Sequence, residues 1–398
     1  MKSGEFMKKI VFFCIPAHGH TNPTLAVVSE LVSRGHQVWY YSYNAFREKI
    51  EACGATFVSC DDYDIESKLS AKDSSRIGKD LAFSTKILVD TTLALDDKVC
   101  REIEELKPDC IVADSMALWG KAVAMKLNIP FVSSTTTFAF NKHSAKIMKQ
   151  SLKDLFKIIF SMSKVSKQVS RLKAKGYPFN NFLDIIGNDE NTDTIVYTST
   201  EFQPYSETFS KKYAFVGPLI RPATDKIEKT REKLVYISMG TVNNNMMPFY
   251  RSCVDAFSST DYQVIMSVGN LVSVDDFGTL PENISVYSHI DQIAVLEKAD
   301  IFVSHSGMNS VSESLYFEVP LALLPQTTEQ NGVAERVCQL GAGIKINKLN
   351  GKSVLDVVNK ILSDSSYKNN ATKISYGFKN SSGAKGAVDK ILEVCAGR

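Results

Sequence analysis

Short apolar runs alternate with helical stripes from the start of this chain, and the alternation restarts past its midpoint. Residues 9–15 are apolar and rich in β-formers, and they run into a loop of turn residues from Pro16 to Pro23. Leu25, Val28, Leu31 and Val32 then recur at helical spacing until Gly35, and residues 37–43 return to a strand pattern. Strand, helix, strand is the unit of a parallel, doubly wound sheet. Within the helix, Asn22 reads as the N-cap and Pro23 as the first helical residue, where a missing N–H costs nothing. Strand patterns follow at 110–113, 131–134 and 194–198, with a helix from Trp119 to Leu127. They resume at 234–238, 262–268, 284–287, 301–304 and 321–324. Between the two series lies a polar, Pro-containing stretch.

Two αβ halves in series suit a chain of 398 residues, which is too long for one ordinary core. The predicted division is residues 1–6 as a cloning remnant before Met7, a first domain over 7–218, a linker over 219–229, a second domain over 230–375, and a final segment over 376–398. The net charge of +2 gives no reason to expect a nucleic-acid partner. Eight cysteines are scattered without a CxxC pair, so they read as small buried hydrophobes of a reducing compartment. No apolar run is long enough to span a membrane, and a cytoplasmic location is expected.

The densest chemical signal lies between residues 289 and 330. A strand ends at Ser304, His305 to Gly307 make a turn, and a helix starts near Asn309. A helix start presents unpaired N–H groups and a partial positive charge, which together suit a diphosphate. Asn309 and Ser310 add short polar side chains there. Glu313, one turn deeper on the same face, can accept from both hydroxyls of a ribose.

With His289, Ile290, Gln292, Pro320, Pro325, Glu329 and Gln330, this pattern resembles the nucleotide-sugar signature of family 1 UDP-glycosyltransferases, including plant enzymes and bacterial macrolide glycosyltransferases. The resemblance implies the GT-B architecture, two Rossmann-like domains facing a cleft. It implies that His289, Ile290 and Gln292 lie near the base. It implies that His305, Gly307, Asn309 and Ser310 hold the phosphates, Glu313 the ribose, and Glu329 with Gln330 the sugar. Thr241, after the strand at 234–238, matches the family's glycine–Ser/Thr turn and would also face the phosphates. Plant relatives carry Trp where this chain has His289, and Asp is usual where it has Glu329.

His18, Gly19, His20, Asn22 and Pro23 resemble the family's first loop, and by that match His18 would be the catalytic base. An acceptor hydroxyl must lose its proton as the new bond forms, and an imidazole can take it near neutral pH. A carboxylate should then steady the imidazolium, and Asp114, at the end of the strand at 110–113, is the candidate. Asp114 could instead cap its helix. His20 is read as structural, and His36 and His143 as surface residues. A metal site at the two neighbouring histidines lacks a third ligand, and no metal or other cofactor is expected.

Residues 141–176 hold ten Lys or Arg against one acid, with apolar residues at helical spacing. The resemblance places this variable stretch at the acceptor pocket, and Phe138, Phe140, Phe156 and Phe160 are the expected acceptor contacts. A basic outer face there would also suit weak contact with a membrane surface. The expected activity is inverting transfer of a hexose, glucose by resemblance, from a UDP-sugar to a hydroxyl of a small hydrophobic acceptor of flavonoid, phenol or macrolide type. Alternatives are a lipid glycosyltransferase at a membrane surface and a UDP-sugar epimerase. A monomer or dimer is expected.

Overall fold

A computed structural model describes residues 6–63, 69–70, 73, 76, 80–144, 152–181, 184–185, 191–240 and 244–397, without the side chains of 152–160. In the first half, strands β1 (Lys9–Phe13), β2 (Gln37–Ser42), β3 (Thr56–Ser59), β4 (Cys110–Asp114), β5 (Phe131–Thr135), β6 (Asp193–Val196) and β7 (Tyr213–Phe215) form one sheet in the order 3-2-1-4-5-6-7. In the second half, β8 (Leu234–Ser238), β9 (Gln263–Ser267), β10 (Ile284–Tyr287), β11 (Ile301–Ser304), β12 (Leu321–Leu323) and β13 (Gly343–Lys345) form another in the order 10-9-8-11-12-13. All pairings are parallel. Strands covered on both faces need continuous apolar runs, and β1, β8 and β11 are buried along nearly their whole length. The short strands β3, β7 and β13 escaped the sequence reading, because three or four residues at or beside a sheet edge carry too little pattern.

Each sheet reverses its winding once, between β1 and β4 in the first and between β8 and β11 in the second. The crevice beyond the strand ends at such a point is where open α/β sheets bind ligands. The elements that bear on it are α1 (His18–Ser33), which follows β1, α2 (Arg47–Ala52), α3 (Leu81–Leu106), α4 (Leu118–Lys126) and α5 (Leu152–Ala174). In the second half they are α6 (Met247–Phe257), α7 (Gln292–Leu296), α8 (Met308–Tyr316), which follows β11, and α9 (Thr328–Gln339), with α10 (Gly351–Ser363) and α11 (Ser365–Lys379) behind them. The last helix, α12 (Gly383–Ala396), places Ala387, Val388, Ile391 and Cys395 in the core of the first half, beside Ile10, Val28 and Val112.

Two local expectations are corrected. Helix α1 starts at His18 with Ala17 as N-cap, so Pro23 lies inside it and Asn22 is not its cap. His36 is 5% exposed, and its Nδ1 accepts from the Lys8 backbone N–H at 3.2 Å, so it is a core residue. Residues 216–233 contain neither helix nor strand. Among the described residues no helix is long and apolar enough to cross a membrane.

Candidate active site

Asp114 ends β4 beside β1, and its side chain is fully buried. Its Oδ1 accepts from the Met116 N–H at 2.8 Å. Its Oδ2 lies 2.8 Å from Nδ1 of His20, not from His18. The Thr136 hydroxyl lies 3.2 Å from the same ring nitrogen. With Nδ1 directed at the carboxylate, Nε2 of His20 is left to meet a substrate proton. Burial alone would lower the His20 pKa, but the Asp114 charge and hydrogen bond, with a pull from Glu329, outweigh it and raise the value.

The expected His18–Asp114 pair is therefore not formed. The reason is the early start of α1. Positions 18 and 20 are two residues apart in the first turn of one helix, and a rotation of about 100° per residue puts their side chains on nearly opposite faces. His18 is exposed, its ring edge-on to Phe46 at 5.0 Å. Its pKa is lowered by burial and by the charges of Lys49 and of His289 on the opposite half.

On the facing half, α8 starts at Met308 with Gly307 as N-cap, and among the described residues no side chain caps its first N–H groups, which leaves them open to a ligand. Ser306, at φ 70°, makes the left-handed turn into it. His305 is wedged between two glycines. A Cβ on Gly240 would come within 2.7 Å of the ring, and one on Gly307 within 2.5 Å. Burial pushes the His305 pKa down to about 4 against a small opposing pull from the Ser238 backbone, so the ring is neutral at working pH.

Gln292, at the first turn of α7, donates to Glu313 and, at 3.3 Å, to Ser310. Burial raises the Glu313 pKa and Asp291 adds to it, while the Gln292 bond and Arg221 oppose the rise. His289 is exposed, and Ile290 packs on the core of this half. Glu329 is exposed on the first turn of α9 and near enough for its charge to act on His20. The Gln330 side chain accepts from the Gln326 N–H at 2.8 Å.

Other expected site residues fall elsewhere. Phe138 is 2% exposed and packs on Phe202 at 5.5 Å in the core that includes Phe378. It is a core residue rather than an acceptor contact, because the apolar signal at 138 and 140 cannot tell a strand-end core residue from a pocket lining. Phe140 is 37% exposed. Phe156 and Phe160 lie on α5, in the part whose side chains are outside the described set, and Thr241 lies outside the described residues. Among the described residues no group of three His, Cys, Asp or Glu could hold a metal ion.

Asp291 was missed although it sits inside the motif. It caps α7 through the Ile293 N–H, and it accepts from Arg221 and from the Thr224 backbone and hydroxyl. These bonds hold its pKa well below the carboxylate range despite burial, and they anchor the segment at Arg221 and Thr224, which links the two sheets, to the start of α7. Its place as the residue before a helix was the one available signal.

A family model described as UDP-glucoronosyl and UDP-glucosyl transferase matches residues 216–381. The chain is 33% identical to an uncharacterized UDP-glucosyltransferase, YojK, of Bacillus subtilis, over 97% of each chain. It is 33% identical to the NDP-glycosyltransferase YjiC of Bacillus licheniformis, over 96% of this chain and 97% of that one. Among solved structures, the calicheamicin glycosyltransferase CalG4 superposes with a TM-score of 0.80 at 27% identity, over 98% of this chain and 99% of that one.

Proposed function

Because the chain belongs to the UDP-glucoronosyl and UDP-glucosyl transferase family, we propose that it moves a hexose, glucose in the first instance, from a UDP-sugar to a hydroxyl of a small hydrophobic acceptor, with inversion. The single observation that carries the mechanism is the His20–Asp114 bond at the winding reversal of the first sheet, facing the open start of α8. His20 Nε2 takes the acceptor proton as the acceptor oxygen bonds to the anomeric carbon. The bond from that carbon to the diphosphate oxygen breaks on the opposite side, which turns an α-linked donor into a β-glycoside. Asp114 keeps the proton on Nδ1 before the reaction and steadies the imidazolium after it.

The departing diphosphate meets the N–H groups and positive end of α8, with Asn309 and Ser310 beside them. The neutral His305 ring can donate one hydrogen bond without adding charge. Glu313, held by Gln292, receives the ribose, and the uracil lies along His289 and Ile290. Glu329 and Gln330 take the sugar hydroxyls. The chemistry as drawn uses protein groups alone. The deciding experiment is His20→Ala, which should lower turnover by about 10²–10⁴-fold while UDP affinity by calorimetry stays unchanged. Full turnover would remove His20 from the mechanism.

One observation favours acceptors that partition into membranes. On α5, Val165, Val169 and Leu172 are buried and Lys164, Lys167 and Lys173 are exposed. Lys164 and Lys167 also border a notch of about 200 Å³ with Phe83, Asp80, and Arg76 and Lys86, which pair with Asp80 and Asp90 respectively. Such a face is attracted to anionic lipid. Sedimentation with anionic vesicles that vanishes at high salt supports contact, and equal behaviour with neutral vesicles refutes it.

A further inference from the structure

Helix α1 contains a proline at its sixth position, Pro23. A proline has no N–H to give to the carbonyl four residues back, and here that carbonyl belongs to Gly19. Gly19 lies between the two histidines of the first turn. Its oxygen is taken up from the other half of the molecule, since the Asn309 side-chain amide donates to it at 3.0 Å. The approach is not crowded at Gly19. A Cβ there would stand 3.7 Å from the Asn309 amide nitrogen, in ordinary contact. Asn309 is the second residue of α8, the helix whose open start faces the cleft. An amide nitrogen carries two hydrogens, so one can serve Gly19 while the other points at a ligand on α8.

We propose that Asn309 is a positioning residue for the proton acceptor, tying the first turn of α1 to the donor-side helix through the carbonyl that Pro23 leaves free. This rests on the reading of His20 as the base. The bond links the two described helices that follow the winding reversals, α1 after β1 and α8 after β11, each with a proposed binding or reacting group on its first turn. It makes the separation between His20 and the diphosphate seat depend on one amide rather than on domain closure alone. The neighbouring residue His20 feels the consequence through its own contacts. Asp114 and Glu329 are the charged groups that act on it, and the distance to each changes when the first turn shifts.

The test is made without donor, so that any role of Asn309 toward phosphate is silent. In the donor-free protein, Asn309→Ala should lower the His20 titration midpoint toward that of an ordinary imidazole, followed by NMR of the ring, and should speed exchange of the amides of residues 20–22 and 24. An unchanged titration together with unchanged exchange overturns the proposal. Pro23→Ala supplies Gly19 with a helical partner of its own and suits a helix interior better than proline. In that background the shift caused by Asn309→Ala should shrink to less than about half, the non-additivity expected of residues that share one acceptor. An equal shift in both backgrounds overturns the part assigned to Pro23. Loss of turnover in His20→Ala is a separate result, so failure of the base assignment and failure of this tie are told apart.

Discussion

His20 and His305 sit in matching places, one just after the first strand of the front sheet and the other just after the fourth strand of the back sheet, each at its sheet's winding reversal. Both rings are withdrawn from water, and burial pulls both pKa values down. Only His20 has a carboxylate, and its value ends above the ordinary one, whereas that of His305 falls to about 4. One ring can therefore accept a proton at neutral pH and hold it as a cation. The other is confined between glycines as a neutral donor. The same residue at two strand-to-helix junctions is pushed toward a proposed base or a neutral hydrogen-bond donor chiefly by one neighbouring charge.

Removing that charge breaks the comparison most directly. Asp114→Asn should cost about 10³-fold or more in turnover and move the acid limb of kcat/KM to lower pH. As the base must be neutral to act, the rate falls as pH drops through the raised His20 value, and the limb follows that value downward once the charge is gone. A limb that stays in place assigns it to another group. Glu313→Ala acts on the donor half alone, with UDP affinity expected to fall by about 10–100-fold, the scale of a lost charged hydrogen bond. Calorimetry giving wild-type affinity would remove the ribose role.

The remaining two effects are smaller. Because the folded His305 pKa lies below the unfolded one, protons bind the unfolded chain preferentially, and stability is lost as pH falls from about 6.5 toward about 4. The linkage amounts to roughly 3 kcal/mol at most, and His305→Asn should flatten that part of the stability curve in urea titrations at pH 7 and pH 4.5. An unaltered curve would show that the ring titrates normally. His18→Ala should change turnover by no more than about threefold, because its ring bonds to no carboxylate among the described residues. A loss as large as that of His20→Ala would restore His18 to the chemistry.

The fold class was legible in sequence because buried parallel strands must be continuous apolar runs, and runs such as 9–15 and 301–304 can be seen without a partner. The strand and helix elements around residues 289–330 were legible for a similar reason. The candidate groups there lie within some forty residues, from the start of α7 through the β11–α8 turn to the first turn of α9, so much of their geometry is local. Glu313 meeting Gln292 is the kind of contact such local order allows. Phe138 shows the limit, since an apolar ring near a strand end looks the same whether it lines a pocket or fills the space against Phe202. Asp291 shows another limit, because its main partners, Arg221 and Thr224, are about seventy residues away.

The pattern of residue types by itself determined that two αβ units follow one another, that each has a strand-to-helix turn suited to a ligand, and that an imidazole and a carboxylate are available in the front unit. Which imidazole meets the carboxylate was decided only in three dimensions. It depends on whether the helix begins at residue 18 or at residue 23, and each residue of difference turns a side chain by 100° about the axis. Pro23 lies inside the helix, the Gly19 carbonyl it leaves without a helical partner accepts from Asn309 of the second half, and no stretch of local sequence contains both partners of that bond.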